Sequence, residues 1–452
     1  MSQPSLLDQS ELVSLTERLV EAARRAGADA ADAIAVRSMA LGVQVREGAV
    51  EESERSEGDD FGLRVLVGKR QAVVSSNDPR PDGLAALAER AVAMAKVAPE
   101  DPYAGLADAA QLAKTFPNLD LLDPILPSVI DLEDLARAAE GAALSVKGVS
   151  KSGGASASAG IGGLVLTTSH GFQGAYLGSS HSVSALAIAG EGTGMERDYD
   201  YSQAPHRSDL MSPELIGRNA GERAIRRVNP RKTSTHRVPV VYDARAATSL
   251  IGHLVSAING AAIARKTSFL SEKLGQKIFD QAIRIVDDPF RVRGLRSRPF
   301  DAEGIAGQKR FLIDDGVLQT WLLDCATARE LGLQSTGHAS RGVSSVPSPS
   351  STNLHMEAGS ESPGDMIRSI EQGLFITDLI GSGANIVSGD YSRGASGFWI
   401  ENGELTYPVS EITIAGNLND MLRSLTPAND LEFRYASNSP TVRVEGLTIA
   451  GR

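Results

Sequence analysis

Two dipeptides limit the fold more than any other feature of this sequence: Asp315-Gly316, between the apolar runs of 309–322, and Asn402-Gly403, between FWIE and ELTYPV. Both pairs supply the positive-φ residues of a type I′ turn, so each doubles a strand back on its neighbour. The chain from 236 to 452 is therefore expected to be mostly antiparallel strand, curled into a barrel-like sheet with a few helices outside it. A strand at 237–242 opens this part. A helix follows from near Asp243, carrying Leu250, Leu254, Ala257, Ile258, Ala261 and Ala262 on one face. Residues 277–287 read as a strand, and 332–359 as a long, hydroxyl-rich loop containing His338 and His355.

The preceding residues read as helix, four strands, helix. The first helix covers 10–26, with Ser10 as N-cap, a Leu12, Leu15 and Leu19 stripe, and Gly27 as its stop. Strands at 33–37, 42–46, 62–67 and 71–75 follow, then a helix over 82–96. The acidic stretch 51–60 is read as a solvated turn. Residues 99–127, rich in Pro, Asp and Leu, form a connection; a helix spans 131–146. Gly, Ser and Ala dominate 147–192 and suggest several short strands, with His170-Gly171 and Ser179-Ser180 in turns. The glycine-rich run 153–163 lacks the G-K-[ST] of a phosphate loop. A helix at 213–227 precedes the linker NPRKTST, 229–235. The expected organisation is α+β: an N-terminal α/β part with antiparallel sheets and flanking helices (1–112, then a central segment 113–228), the linker, and a β-rich barrel-like domain over 236–452.

Composition narrows the function. A net charge of −11 over 452 residues, with one short basic run at 226–232, speaks against non-specific nucleic-acid binding. No window reaches the ~18–20 apolar residues of a membrane span, and the first residues lack the pattern of a secretory signal. The single cysteine, Cys325, rules out an internal disulfide. A cytoplasmic enzyme or enzyme subunit is the expectation.

The helix over 250–262 would be the economical place for zinc, which needs two histidines four residues apart and a glutamate. It has one, His253, with serine at 249 and alanine at 257, so His253 is read as structural. Ser268 and Ser271 could serve as nucleophiles only beside a base, and no G-x-S-x-G elbow occurs. Cys325 reads as a small buried residue. Six residues remain as candidate contacts with peptide or partner. Arg265, Lys266 and Ser268 crowd the expected helix end, where capping is the simpler role; Tyr391, Ser392 and Arg393 lie in the glycine-flanked loop DYSRGASG.

Two long segments, 251–279 and 388–418, resemble the TldE branch, also called PmbA, of the TldD/PmbA metallopeptidase family. DDPF at 287–290, RPFDAEG at 298–304, DDGVL at 314–318 and GLTIAGR at 446–452 follow in the same order. The resemblance implies a cytoplasmic bacterial protein paired with a homologous TldD-like subunit and acting on unfolded peptide. In that family TldD carries a His-Glu-x-x-x-His helix and a later cysteine as metal ligands. Here no His-Glu pair exists, and Ser437 and Ser439 stand in the tail where no cysteine follows Cys325. The resemblance therefore implies no metal on this chain and zinc on the TldD partner. Two other readings are a non-proteolytic peptide-binding or regulatory protein and a self-sufficient metallopeptidase.

Overall fold

The computed structural model describes residues 7–451. Helix α1 (Ser10–Arg25) leads into three strands, β1 (Ala30–Arg46), β2 (Ala49–Val67) and β3 (Arg70–Ser76), and then α2 (Pro81–Val97). The four expected strands are thus three. The two segments at 33–37 and 42–46 are one strand, because Ser38 to Leu41 keep the alternation of exposed and buried side chains. The acidic residues 51–60 are not a turn but the solvated half of β2. Position 9, not Ser10, is the N-cap of α1, and the Ser10 amide binds the Asp8 carboxylate instead.

After the connection come α3 (Val129–Leu144), β4 (Val149–Thr168), β5 (Gln173–Ala189), β6 (Glu196–Ala204) and α4 (Pro213–Arg227). His170-Gly171 turns the chain as expected, whereas Ser179-Ser180 lies within β5. The six strands form one antiparallel sheet in the order β3-β2-β1-β4-β5-β6, so segments 1–112 and 113–228 contribute three strands each to it. Odd-numbered residues of β1 pack on both helix pairs: Ala31, Ala33 and Ala35 on α1 and α2, Leu41, Val43 and Val45 on α3 and α4. The helices therefore lie end to end on one face, along strands longer than any of them. The other face, carrying Asp32, Arg64 and Leu166, meets the C-terminal half.

That half contains β7 (His236–Tyr242), α5 (Ala244–Ala257), α6 (Gly260–Ala264), β8 (Ile285–Asp287), β9 (Arg310–Asp314), β10 (Val317–Leu318) and α7 (Cys325–Glu330). Next are β11 (Ala339–Ser340), β12 (Ser348–Pro349), β13 (Leu354–Met356), α8 (Pro363–Arg368), β14 (Gln372–Ile380), β15 (Asp390–Glu401) and β16 (Glu404–Asn417). Last are α9 (Leu418–Ser424), β17 (Thr426–Pro427), β18 (Ser437–Asn438) and β19 (Val442–Ala450). Strands β16-β15-β14-β7-β19 are consecutive neighbours, and β19 pairs again with β16 through Thr413 opposite Ala450, which closes a five-stranded barrel. Both hairpin dipeptides adopt the expected positive φ, 49° and 77° at Asp315-Gly316, 51° and 80° at Asn402-Gly403.

Three expectations fail here. Of residues 277–287 only Ile285–Asp287 is strand. The loop 332–359 contains β11, β12 and β13 rather than being structureless. The helix after β7 does not run on to Ala262: it stops at Ile258, and Asn259 caps the separate turn α6 by accepting the Ala261 amide. Among the described residues, no helix is long and apolar enough to cross a membrane.

Candidate functional site

Helix α5 is held against the barrel by its stripe of Ala246, Ala247, Leu250, Ile251, Leu254 and Ala257, which joins Val240, Leu374 and Ile376 in one core. Its N-cap is Asp243, whose carboxylate accepts the Ala246 amide at 2.7 Å. This anchoring brings His253 beside Tyr391 of β15, with ring centroids 5.8 Å apart in an edge contact. Tyr242, the last residue of β7, is fully buried nearby. Tyr391, Ser392 and Arg393 therefore lie on a strand, not the expected loop, and alternation sends Tyr391 and Arg393 to one face and Ser392 to the other.

Four polar atoms of this cluster are buried: the Tyr242 and Tyr391 hydroxyls, which act on each other, His253 Nε2 and Arg393 Nε. Burial holds the His253 imidazole below its ordinary value, and the Arg393 charge lowers it further, so the ring is neutral at pH 7. Burial raises both tyrosines, which remain protonated donors. Arg393 bears on the cluster's single histidine, and among the described residues no three His, Cys, Asp or Glu side chains converge.

The other candidates stand elsewhere. Arg265 and Lys266 terminate α6 with exposed side chains, Lys266 at φ 55° in the left-handed position that ends a helix. Ser268 is only 5% exposed; its hydroxyl donates to the Ala257 carbonyl at 2.6 Å and accepts the Leu270 amide, which fixes the segment after α5. His338 and His355 do not form a joint site. His338 is bound to Asp287 at 3.1 Å and Thr336 at 2.8 Å, while the His355 ring packs on Phe433. The Asp287-His338-Thr336 chain has the order of a hydrolase triad, but the Thr336 oxygen already accepts the Leu323 amide and donates to the Leu323 carbonyl. Thr336 is buried, and its hydroxyl serves the Leu323 backbone. Cys325 is buried, with its thiol pushed up by burial and by Glu303, so it is inert.

Sequence reasoning missed the seam between the six-stranded sheet and the C-terminal half. In β6 the alternation DYDYSQ turns Asp198 and Asp200 toward α4 and Tyr199, Tyr201 and Gln203 toward the seam. Asp198 receives Arg227 at 3.1 Å and Arg245 at 3.0 Å; Asp200 receives Arg434 at 2.9 Å. Tyr199, Tyr201 and Tyr435 form a row of ring contacts that borders a cavity of about 510 Å³. The period-two pattern of Asp and Tyr was the available signal.

Asp243 gives a test of this anchoring. Burial raises its carboxyl from 3.8 to about 6, against the Ala246 amide and Arg245, which lower it. The folded protein therefore binds a proton here that the unfolded chain has already released, so this group makes stability fall as pH rises from about 4 to about 6, by up to about 1.4 kcal/mol per unit. Asp243→Asn keeps the capping oxygen and removes the proton site. Its urea-unfolding free energy, relative to wild type, is expected to lose that slope and to gain most at pH 7.

Family models match the chain in three pieces: PmbA/TldA metallopeptidase domain 1 over residues 31–95, the central domain over 122–228 and the C-terminal domain over 235–451. Metalloprotease PmbA of Escherichia coli O157:H7 is 39% identical over 426 residues, 94% of this chain and 93% of that one. A Bacteroides thetaiotaomicron protein described as a modulator of DNA gyrase superposes with a TM-score of 0.90 at 28% identity, over 98% of this chain and 99% of that one. TldE of Thermococcus kodakarensis shares the fold, with a TM-score of 0.85 at 22% identity over 97% of this chain and 100% of that one.

Proposed function

Since the chain belongs to the PmbA/TldD metallopeptidase family, we propose that it is the metal-site-lacking, TldE-type subunit of a cytoplasmic two-subunit protease that degrades unfolded peptides. A homologous TldD-like partner supplies zinc and the activated water, and this chain shapes the chamber and helps to hold the peptide. One observation carries the reading: helix α5 offers a single histidine, faced by Arg393 and Tyr391, where a metallopeptidase helix needs a second imidazole and a carboxylate. The edge strand β6 beside a tyrosine-lined cavity suits an extended peptide added by main-chain hydrogen bonds.

The test is zinc content and cleavage of an unstructured peptide, measured on the purified chain, on a TldD-like subunit and on the mixture. Cleavage is expected only when the partner is present, with zinc bound to the partner. Stoichiometric zinc and turnover by this chain alone would overturn the reading, and peptide binding without cleavage in the mixture would favour a regulatory role. In the active mixture, Arg393→Ala is expected to reduce turnover or assembly by about tenfold. Unchanged assembly and turnover would remove Arg393 from the site.

A further inference from the structure

A second cavity, of about 540 Å³, lies between β4, β5 and the loops of the C-terminal half. Its wall carries two arginines, Arg296 and Arg298, together with Ser180, Ser340, Ser350 and Ser351, and among the described residues no Asp or Glu lines it. That is notable in a chain of net charge −11. The Arg298 guanidinium is half-buried, and its Nε and Nη2 are buried with no hydrogen-bond partner. The acid three residues on feels this charge but makes no hydrogen bond with it among the described residues: Arg298 lowers the Asp301 carboxyl against a burial that raises it, while the Asp301 oxygens accept the amides of Glu303 and Ile305 on one side and of Ala339 on the other. A guanidinium with two nitrogens withdrawn from water and given no acceptor is costly, and an anion in the cavity beside it would offset part of that cost.

The loop that bears both arginines is fixed in place. Asn353, 3% exposed, accepts the Arg296 amide at 2.9 Å and donates to Ser297 Oγ and to the Asp288 carbonyl. Ser297 in turn donates to the Arg291 carbonyl. On the opposite wall Gly162 and Gly178 expose bare backbone. The cavity shares Gln203, Leu295 and Arg296 with the tyrosine-lined cavity along β6, so the two adjoin.

We propose that this cavity binds an oxyanion, held by the charges of Arg298 and Arg296 with hydroxyl donors around it, and that its ligand carries either a terminal carboxylate or a phosphate. The carboxylate of a peptide lying along β6 would meet Arg298 at the end of the groove. That choice of ligand rests on the peptide-handling reading above, whereas the oxyanion site requires neither a partner subunit nor cleavage.

The experiment uses the full chain alone and measures binding, by calorimetry, of an unstructured pentapeptide with a free C-terminus, of its C-terminal amide, and of inorganic phosphate. The free acid is expected to bind at least tenfold more tightly than the amide, with the difference lost in Arg298→Gln and partly kept in Arg298→Lys. Phosphate binding that depends on Arg298, with acid and amide equal, would support the oxyanion site and assign it to a phosphate ligand. Acid and amide binding equally with no phosphate binding would overturn the proposal. Should Arg298→Gln fail to fold, judged by its circular dichroism, the wild-type comparison of the three probes decides by the same criteria, and Arg296→Ala, at an exposed position, is expected to weaken the preferred probe several-fold. None of these outcomes depends on whether the mixed subunits cleave peptide.

Discussion

Asparagine in place of Asp32 is expected to destabilise the protein by about 3–5 kcal/mol, the loss typical of removing one charge from a buried ion-pair group. Asp32 is 2% exposed and sits directly across from Arg64 in the β1–β2 register. One oxygen accepts Arg64 Nε at 2.8 Å and Nη2 at 2.5 Å; the other lies 2.5 Å from Arg341 Nη1, in the C-terminal half. Burial pushes the carboxyl up, but Arg341 and Arg64 outweigh it and hold it below its ordinary value. Two buried guanidiniums thus share one carboxylate, and an amide would leave them only Glu303, itself pushed up to about 7 by burial, as a nearby acid. Equilibrium unfolding in urea measures the loss. Arg80→Ala, which breaks an exposed pair with Asp78, is the control and should change stability by less than about 1 kcal/mol. A loss at Asp32 no larger than this would mean that the triad is not closed to water.

The second large effect belongs to Gly217, in α4. A Cβ there would stand 2.0 Å from the Ala139 carbonyl oxygen and 2.8 Å from the Ala143 nitrogen of α3. Alanine favours a helix over glycine by about 1 kcal/mol, but backbone cannot swing aside as a side chain can, so the helices must separate. Gly217→Ala is therefore expected to cost about 1–3 kcal/mol net. Gly141, on the exposed side of α3, has nothing within 4 Å of its Cβ position, and Gly141→Ala should stabilise by about 0.5–1 kcal/mol. Opposite shifts in thermal midpoint from one substitution in two packed helices separate propensity from contact; shifts of the same sign would refute the close crossing.

These two glycines also show why parts of the fold could not be read locally. The helices at 82–96 and 213–227 and both hairpins were legible, because amphipathic spacing and dipeptide chemistry act over a few residues. Glycine in strands misled: Gly160 lies inside β4 because a Cβ would come 2.8 Å from the Met39 carbonyl oxygen, a reason that only the paired strand reveals. The acidic half of β2 is solvated throughout and so shows no alternation to mark it as strand. Tyr391 and Arg393 are singled out by residue type and flanking glycines only as candidate contacts, and their setting was misread as a loop. Arg298 carried no local sign at all, since the bonds from Asn353 that position its loop join residues more than fifty apart.

Closure of the barrel has a consequence for synthesis. All six strands of the first sheet have been made once Ala204 is added, and their pairings join neighbours in the order of translation apart from β1 with β4. The barrel instead sets β7 beside β19, pairing Tyr242 with Val442, so β7 waits roughly two hundred residues for one of its two neighbours. A ribosome pausing within that interval would hold a chain whose first sheet is complete while β7 still offers an open edge, the kind of surface that chaperones guard.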